Sequence, residues 1–232
     1  QIFLLIITKD YYMDMRKKPS NNSLGNDQEL NMSIIDISRP INDGKSSYPD
    51  DPPSKFTKIH SIERGDPFDL TLLKISAHTG SHIDAPSHFI DGGLTVDKIP
   101  LANLIGRCYL LDLSETINTT GHIPENITIP KNTRRLLIKT GYSAGYWPVI
   151  SKYIANKLVK TGIVLLGIDT PSFDENSTSN FDIHKSLLSS DIILLEHLNL
   201  ANTKTGWYQL ICLPINLLNT EGAPVRAVLI EN

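Results

Sequence analysis

Three of the seven histidines and one aspartate lie within residues 78–89, which read HTGSHIDAPSHF. A glycine weakens a helix here and a proline ends one, so the segment predicts an extended strand leading into a loop. Alternate side chains of a strand share a face, so His78, His82 and Asp84 would point the same way. Gly80 would leave room between the two imidazoles. Imidazole and carboxylate groups suit Zn²⁺, Mn²⁺ or Fe²⁺, and the lack of a nearby cysteine favours an open catalytic site. A chance grouping of structural histidines is the alternative.

A second pair of candidate ligands lies about a hundred residues further along the chain. Residues 182–188 predict a short helix capped by Asp182, which places His184 in its first turn. Glu196 follows four consecutive apolar residues, where a carboxylate without a partner is costly to bury. The alternative for Glu196 is that it simply ends its strand in solvent.

The elements that must position these groups are mostly short apolar runs of strand length. Together they predict an α/β protein, a single strand-rich domain with few helices. Ser151 is a candidate N-cap for a helix over 151–160, and Gly162 follows as its stop. The predicted strands cover residues 34–38, 107–113, 135–139, 163–169, 192–196, 208–213 and 225–230.

Length and composition narrow the class of protein. The 232 residues are 40% hydrophobic, which is enough for a core, and the formal net charge of -3 predicts no nucleic-acid partner. Cys108 and Cys212 sit in apolar runs, which is typical of small buried core residues rather than of a disulfide framework. We therefore expect a cytoplasmic protein.

Residues 1–33 are predicted to be an N-terminal tail, and residues 34–232 the domain. The tail passes from an apolar hexamer at 2–7 to a polar stretch at 16–23. The hexamer is too short to span a membrane, so no membrane association is expected. An arm that packs on a neighbouring subunit is the alternative, because an apolar hexamer is costly to leave in water.

The segment HTGSHIDAPSHF resembles the HxGTHxDxPxHF signature of the metal-dependent cyclase-like hydrolases, whose best-known members are the bacterial kynurenine formamidases. The one departure is Ser81 in place of threonine, which keeps the hydroxyl. The resemblance extends over about residues 34–230, and it implies a mixed sheet similar to the swivelling β/β/α fold. Its other pieces are YPDDP at 48–52, KTG at 139–141, GIDTPS at 167–172, His184 with Glu196, and GAPVRA at 222–227.

The resemblance implies a site with two divalent metal ions, zinc first, with manganese or iron as alternatives. It assigns His88 as the general acid/base, although His88 as a further metal ligand remains open. Tyr48 stands where the family usually has a tryptophan that lines the substrate pocket. The implied metal ligands are His78 and His82 on the first ion, His184 on the second, and Asp84 and Glu196 bridging the two.

The predicted function is metal-dependent hydrolysis of an amide C–N bond in a small aromatic substrate. The resemblance implies the specific reaction, N-formylkynurenine to kynurenine and formate. The alternatives are an isatin hydrolase-like, lactone or cyclic amide hydrolase of the same family, or a non-catalytic metal-binding carrier. In some relatives of this family, the isatin hydrolases, glutamine replaces the residue corresponding to Glu196 and only one metal is held, so the resemblance favours the two-metal branch here. The resembling enzymes are homo-oligomers, so a dimer or tetramer is expected.

Overall fold

The computed structural model describes residues 33–49, 51–175 and 179–231. Residues 1–32, which hold almost all of the expected tail or arm, lie outside the described part. The helices are α1 (Leu101–Leu104), α2 (Ser114–Thr120), α3 (Lys152–Val159) and α4 (Asp182–Leu188). The strands are β1 (Ile34–Asp36), β2 (Lys55–His60), β3 (Leu70–Lys74), β4 (His82–Asp84), β5 (Ile105–Asp112), β6 (Arg135–Lys139), β7 (Leu165–Ile168), β8 (Ile193–Glu196), β9 (Gly206–Pro214) and β10 (Gly222–Ile230).

Seven of the strands close into a barrel. Their order is β10-β4-β8-β7-β6-β5-β9, and β9 pairs with β10 to complete the ring. Strand β1 pairs with the part of β10 that β4 does not reach. Strands β5 to β8 run parallel to one another, and the remaining pairings are antiparallel. The expected strand-rich α/β domain with a mixed sheet and few helices is therefore confirmed.

The parallel strands are apolar on both faces because each face is covered. In β6, Leu137 packs into the cluster that fills the barrel, whereas Leu136 and Ile138 pack against the helices outside it. Such two-sided burial explains why these strands are continuous apolar runs instead of alternating patterns. Cys108 and Cys212 are fully buried free thiols in the barrel cluster, as their apolar surroundings predicted.

Helix α3 follows its sequence signals closely. The side chain of Ser151 accepts a hydrogen bond from the amide of Ile154, which is the predicted N-cap contact. The apolar side chains of Ile154 and Leu158 lie on the buried face, in the cluster outside the barrel. Among the described residues, no helix combines the length and apolar character that a membrane span requires.

The hairpin of β2 and β3 was not predicted from the sequence. It forms a separate two-stranded sheet outside the barrel, and all five residues of β3 are exposed. Its apolar and polar residues do not alternate, because neither face packs on the core in the described chain. Without such alternation the sequence carries no strand signal.

Candidate metal centre and its cavity

Strand pairing brings the early and late candidate ligands together. Strands β4 and β8 are antiparallel neighbours, and their register sets His82 directly opposite Glu196. Asp84 lies two residues beyond His82, so both side chains share a face of β4, as the alternation predicted. All three side chains are almost fully buried.

His78 reaches the same place by a different route from the one predicted. Strand β4 begins only at His82, and the preceding residues form a turn in which Gly80 has a φ of 70°. The strand alternation therefore does not extend to His78 and Gly80. Gly80 is needed for its left-handed backbone, and because an added Cβ would lie 2.8 Å from Cγ1 of Ile41. The prediction that Gly80 spaces the two imidazoles was wrong.

Helix α4 presents His184 from its first turn, as predicted, but Asp182 does not cap it. Asp182 is the first helical residue, and the N-cap position, Phe181, makes no side-chain capping hydrogen bond. The carboxylate of Asp174 takes that role, because it accepts hydrogen bonds from the amides of Ile183 (3.1 Å) and His184 (3.0 Å). The same carboxylate accepts a 2.6 Å bond from Nδ1 of His184. The sequence did not identify Asp174 because its partners are not its neighbours in the chain.

The two carboxylates sit between the three imidazoles. Nδ1 of His78 lies 2.9 Å from Oδ1 of Asp84, and Nε2 of His82 lies 3.5 Å from the same oxygen. Nε2 of His184 lies 3.5 Å from Oδ2 of Asp84 and 3.1 Å from Oε1 of Glu196. Oε2 of Glu196 completes the group at 3.4 Å from Nε2 of His82.

These donors fit divalent ions. They form two groups, and within each group the ligand atoms lie within 4.8 Å of one another. The first group is His78, His82 and Asp84, and the second is Asp84, His184 and Glu196. Oδ2 of Asp84 is buried and has no hydrogen-bond partner among the described residues, which is costly unless something else satisfies it. An acidic residue shared by two sets of nitrogen and oxygen donors is suited to bridge two cations.

The charges of the cluster point the same way. Burial opposes ionisation of Asp84, yet the neighbouring imidazole of His184 and the hydrogen bond from His78 hold the pKa of its carboxyl well below the usual range. Burial likewise lowers the pKa of His78, but the hydrogen bond to Asp84 and the nearby carboxylates raise it to about 9. Two buried carboxylates are thus stabilised in their charged form only by positive charge nearby. Metal ions can supply that charge in place of the protons that the imidazoles otherwise carry.

The cluster lines a cavity of about 320 Å³. Its lining includes all seven residues singled out from the sequence: Tyr48, His78, His82, Asp84, His88, His184 and Glu196. Phe89, Pro171 and Phe181 add apolar walls that the sequence had not identified as such. Tyr48 is supported from behind by Trp147, with ring centroids 6.0 Å apart. An aromatic ligand of modest size matches this lining.

His88 lies beside the cluster without joining either ligand group. It ends a short 3₁₀ turn, Pro86–His88, and its ring centroid is 4.3 Å from that of His78. Burial lowers the pKa of His88 and outweighs the opposing charge of Asp84, so the neutral ring is favoured at pH 7. His60, His122 and His197 do not line this cavity.

The sequence is similar to known proteins over most of its length. Residues 35–175 match the model of a family described as putative cyclase. A kynurenine formamidase from Salinibacter ruber is 33% identical over 208 residues, 85% of this chain and 97% of that protein. One from Bordetella petrii is 31% identical over 209 residues, 85% of this chain and 98% of that protein.

Solved structures show the same fold. A potential metal-dependent hydrolase with cyclase activity superposes with a TM-score of 0.74 at 29% identity, over 87% of this chain and 98% of its own. An isatin hydrolase bound to the product analogue thioisatinate gives a TM-score of 0.73 at 18% identity, over 86% and 92% of the two chains. The second likeness concerns the fold alone.

Proposed function

This chain belongs to the putative cyclase family, and from that membership we propose that it is a metal-dependent hydrolase of an amide C–N bond in a small aromatic substrate. The specific reaction proposed is hydrolysis of N-formylkynurenine to kynurenine and formate, which is supported by the kynurenine formamidases it resembles. The observation that carries the proposal is the convergence of three imidazoles and two carboxylates in the lining of one cavity that also has aromatic walls.

The proposed metal ligands follow the two groups of donors. His78, His82 and Asp84 would hold one ion, and Asp84, His184 and Glu196 the other. Zinc is the first choice because imidazole nitrogen and carboxylate oxygen suit it, and manganese or iron would accept the same donors. When bound, the ions supply a Lewis acid that lowers the pKa of water and polarises the substrate carbonyl.

His88 is the proposed general acid/base. Its neutral ring lies beside the donor cluster but outside both ligand groups, so a nitrogen remains to take a proton from the attacking water. The same nitrogen would return that proton to the departing amine nitrogen as the C–N bond breaks. The near-neutral titration of imidazole suits both steps.

The apolar walls would hold the aromatic ring of the substrate. Tyr48, Phe89 and Phe181 line the cavity and offer ring faces or edges to such a ring. Burial raises the pKa of the Tyr48 phenol, and the charge of Glu196 adds to this, so the hydroxyl stays a neutral donor. Fixing the ring in this way would set the carbonyl carbon in position for attack.

A substrate comparison tests the proposal. The metal-loaded protein is assayed with N-formylkynurenine, isatin and a simple aryl ester, beside an Asp84→Ala variant purified in the same way. We expect turnover of N-formylkynurenine by the wild type and none above background by the variant. Turnover of isatin or the ester alone would refute the formamidase assignment and leave the broader hydrolase proposal, whereas turnover of none of the three would refute both.

A further inference from the structure

Each of the three clustered histidines uses its two ring nitrogens for different purposes. In His184, Nε2 faces Glu196 while Nδ1 donates to Asp174. In His82, Nε2 faces Glu196 while Nδ1 donates a 3.0 Å hydrogen bond to the carbonyl of Gly80. One nitrogen thus points at the donor cluster, and an acceptor behind the ring fixes the tautomer that leaves this nitrogen free.

Among the described residues, His78 lacks the hydrogen-bond acceptor that the other two histidines have behind their rings. Its Nδ1 faces Asp84 at 2.9 Å, so Nε2 is the nitrogen that points away from the cluster. Nε2 is buried and makes no hydrogen bond among the described residues. The carboxylate of Glu221 lies nearest, with Oε1 at 3.4 Å from Nε2. A small rotation of this half-exposed side chain closes that distance.

The backbone keeps Glu221 in this place. Its carbonyl accepts a 2.8 Å hydrogen bond from the amide of Ala85, and the next residue, Gly222, pairs with Asp84 between β10 and β4. The ring of His78 lies over Gly222, where an added Cβ would be 2.7 Å from its Cε1. The ring is therefore held between the cluster and Glu221.

We propose that Glu221 is a positioning residue that accepts the Nε2 hydrogen of His78 and so leaves Nδ1 free to bind the first metal ion. This role rests on the proposed metal site. A carboxylate in this position orients the imidazole and makes it a stronger ligand, and loss of such a partner typically weakens metal affinity by roughly 10–100-fold. Glu221 is not among the residues that line the cavity and belongs to neither donor group.

Zinc titration of the metal-free protein against a competing chelator tests the role. We expect Glu221→Ala to weaken one of two ions by roughly 10–100-fold and to leave the other unchanged. Glu221→Gln, which keeps an acceptor but loses the charge, should lie between that variant and the wild type. The control is Glu125→Gln, at an exposed glutamate that belongs to neither donor group, and this variant should bind both ions normally.

A spectroscopic readout separates positioning from a general loss of structure. In the zinc-loaded protein labelled at histidine with ¹⁵N, the proton on Nε2 of His78 should be visible and slow to exchange in the wild type. It should broaden or disappear in Glu221→Ala, while the corresponding Nδ1 proton of His184 stays unchanged.

Two results would overturn the role of Glu221. One is unchanged affinity for both ions in Glu221→Ala, and the other is a His78 whose Nε2 carries the metal. Either would leave the metal site itself standing. A wild-type protein that binds no ion would overturn the metal site and this role with it.

Discussion

His88 shows how the surroundings of one residue decide its chemistry. His88 and His78 belong to one segment and their rings nearly touch, but carboxylates contact only His78. The hydrogen bond to Asp84 and the nearby carboxylates therefore raise the pKa of His78 in spite of its burial, whereas burial lowers the pKa of His88. A histidine that is neutral at pH 7 and outside the ligand groups is available for proton transfer.

We therefore expect His88→Ala to lower turnover by roughly 10²-fold or more while metal content stays near that of the wild type. His122→Ala, which removes an exposed histidine outside the cavity, serves as the control. Steady-state kinetics and elemental analysis of the same samples provide the two readouts. If His88→Ala instead lost an ion, and added metal restored the activity, His88 would be a ligand.

The sequence identified the residues of the donor cluster, with His88 and Tyr48, but not the contacts that orient them. Residue type and short spacing suffice to find His78, His82, Asp84 and His88, because these four lie in one segment. Asp174 and Glu221 carry no such signal. Their partners lie 10 and 143 positions away in the chain, and only the folded backbone brings them together.

At the scale of elements, α4 depends on a cap that lies outside the helix. Asp174 accepts two backbone amides and the ring of His184, so its loss leaves three donors unsatisfied. We expect Asp174→Ala to lower the free energy of unfolding by about 1–2 kcal/mol, the scale of a lost helix cap. Asp182→Ala should change it by less than about 0.5 kcal/mol, since its ion pair with Lys152 is exposed.

Urea unfolding of the metal-free variants provides the measurement, and pH adds a check. Burial raises the pKa of Asp174, but the hydrogen bonds from His184 outweigh it and leave the pKa below its usual 3.8. The stabilisation by this carboxylate is therefore present above pH 3.8 and lost as the pH falls through the lower folded-state value. The two unfolding free energies, of wild type and Asp174→Ala, should converge in acid. If Asp182→Ala lowered the free energy of unfolding more than Asp174→Ala did, Asp182 would be the cap, as the sequence predicted.

Strands and helices were predictable wherever burial imposes a pattern. The expected strand over 135–139 coincides with β6, and α3 lies within its expected range. The hairpin of β2 and β3 was not predicted because its side chains are mostly exposed and therefore show no apolar pattern. Strand alternation correctly predicted that His82 and Asp84 share a face of the sheet. It did not hold for His78, because Gly80 has a left-handed backbone and turns the chain before β4 begins.

At the scale of the molecule, closure of the barrel creates the site. His82 and Glu196 are adjacent across β4 and β8 although they are far apart in the chain, and β10 flanks the other side of β4. Pairing over such separations is set by the packing of the whole sheet, which no local pattern encodes. Only the resemblance to a family suggested in advance that the early and late ligands meet.

The assembly of the molecule is a further prediction. The hairpin of β2 and β3 exposes Leu70, Leu72 and Leu73, each about half accessible, and such apolar surface favours association. We expect a homo-oligomer, most simply a two-fold dimer, and light scattering at micromolar concentration measures it. A fully active monomer would contradict this expectation. The cytoplasmic location likewise stays a prediction.

Metal stoichiometry tests the central claim most directly. Five buried or half-buried donors with a shared carboxylate are a costly arrangement unless cations occupy it. Elemental analysis of the gently purified protein should find about two divalent ions per chain, with zinc the first expected. A value near one would indicate a one-metal site, and the absence of bound metal at any pH where histidine is neutral would contradict the account.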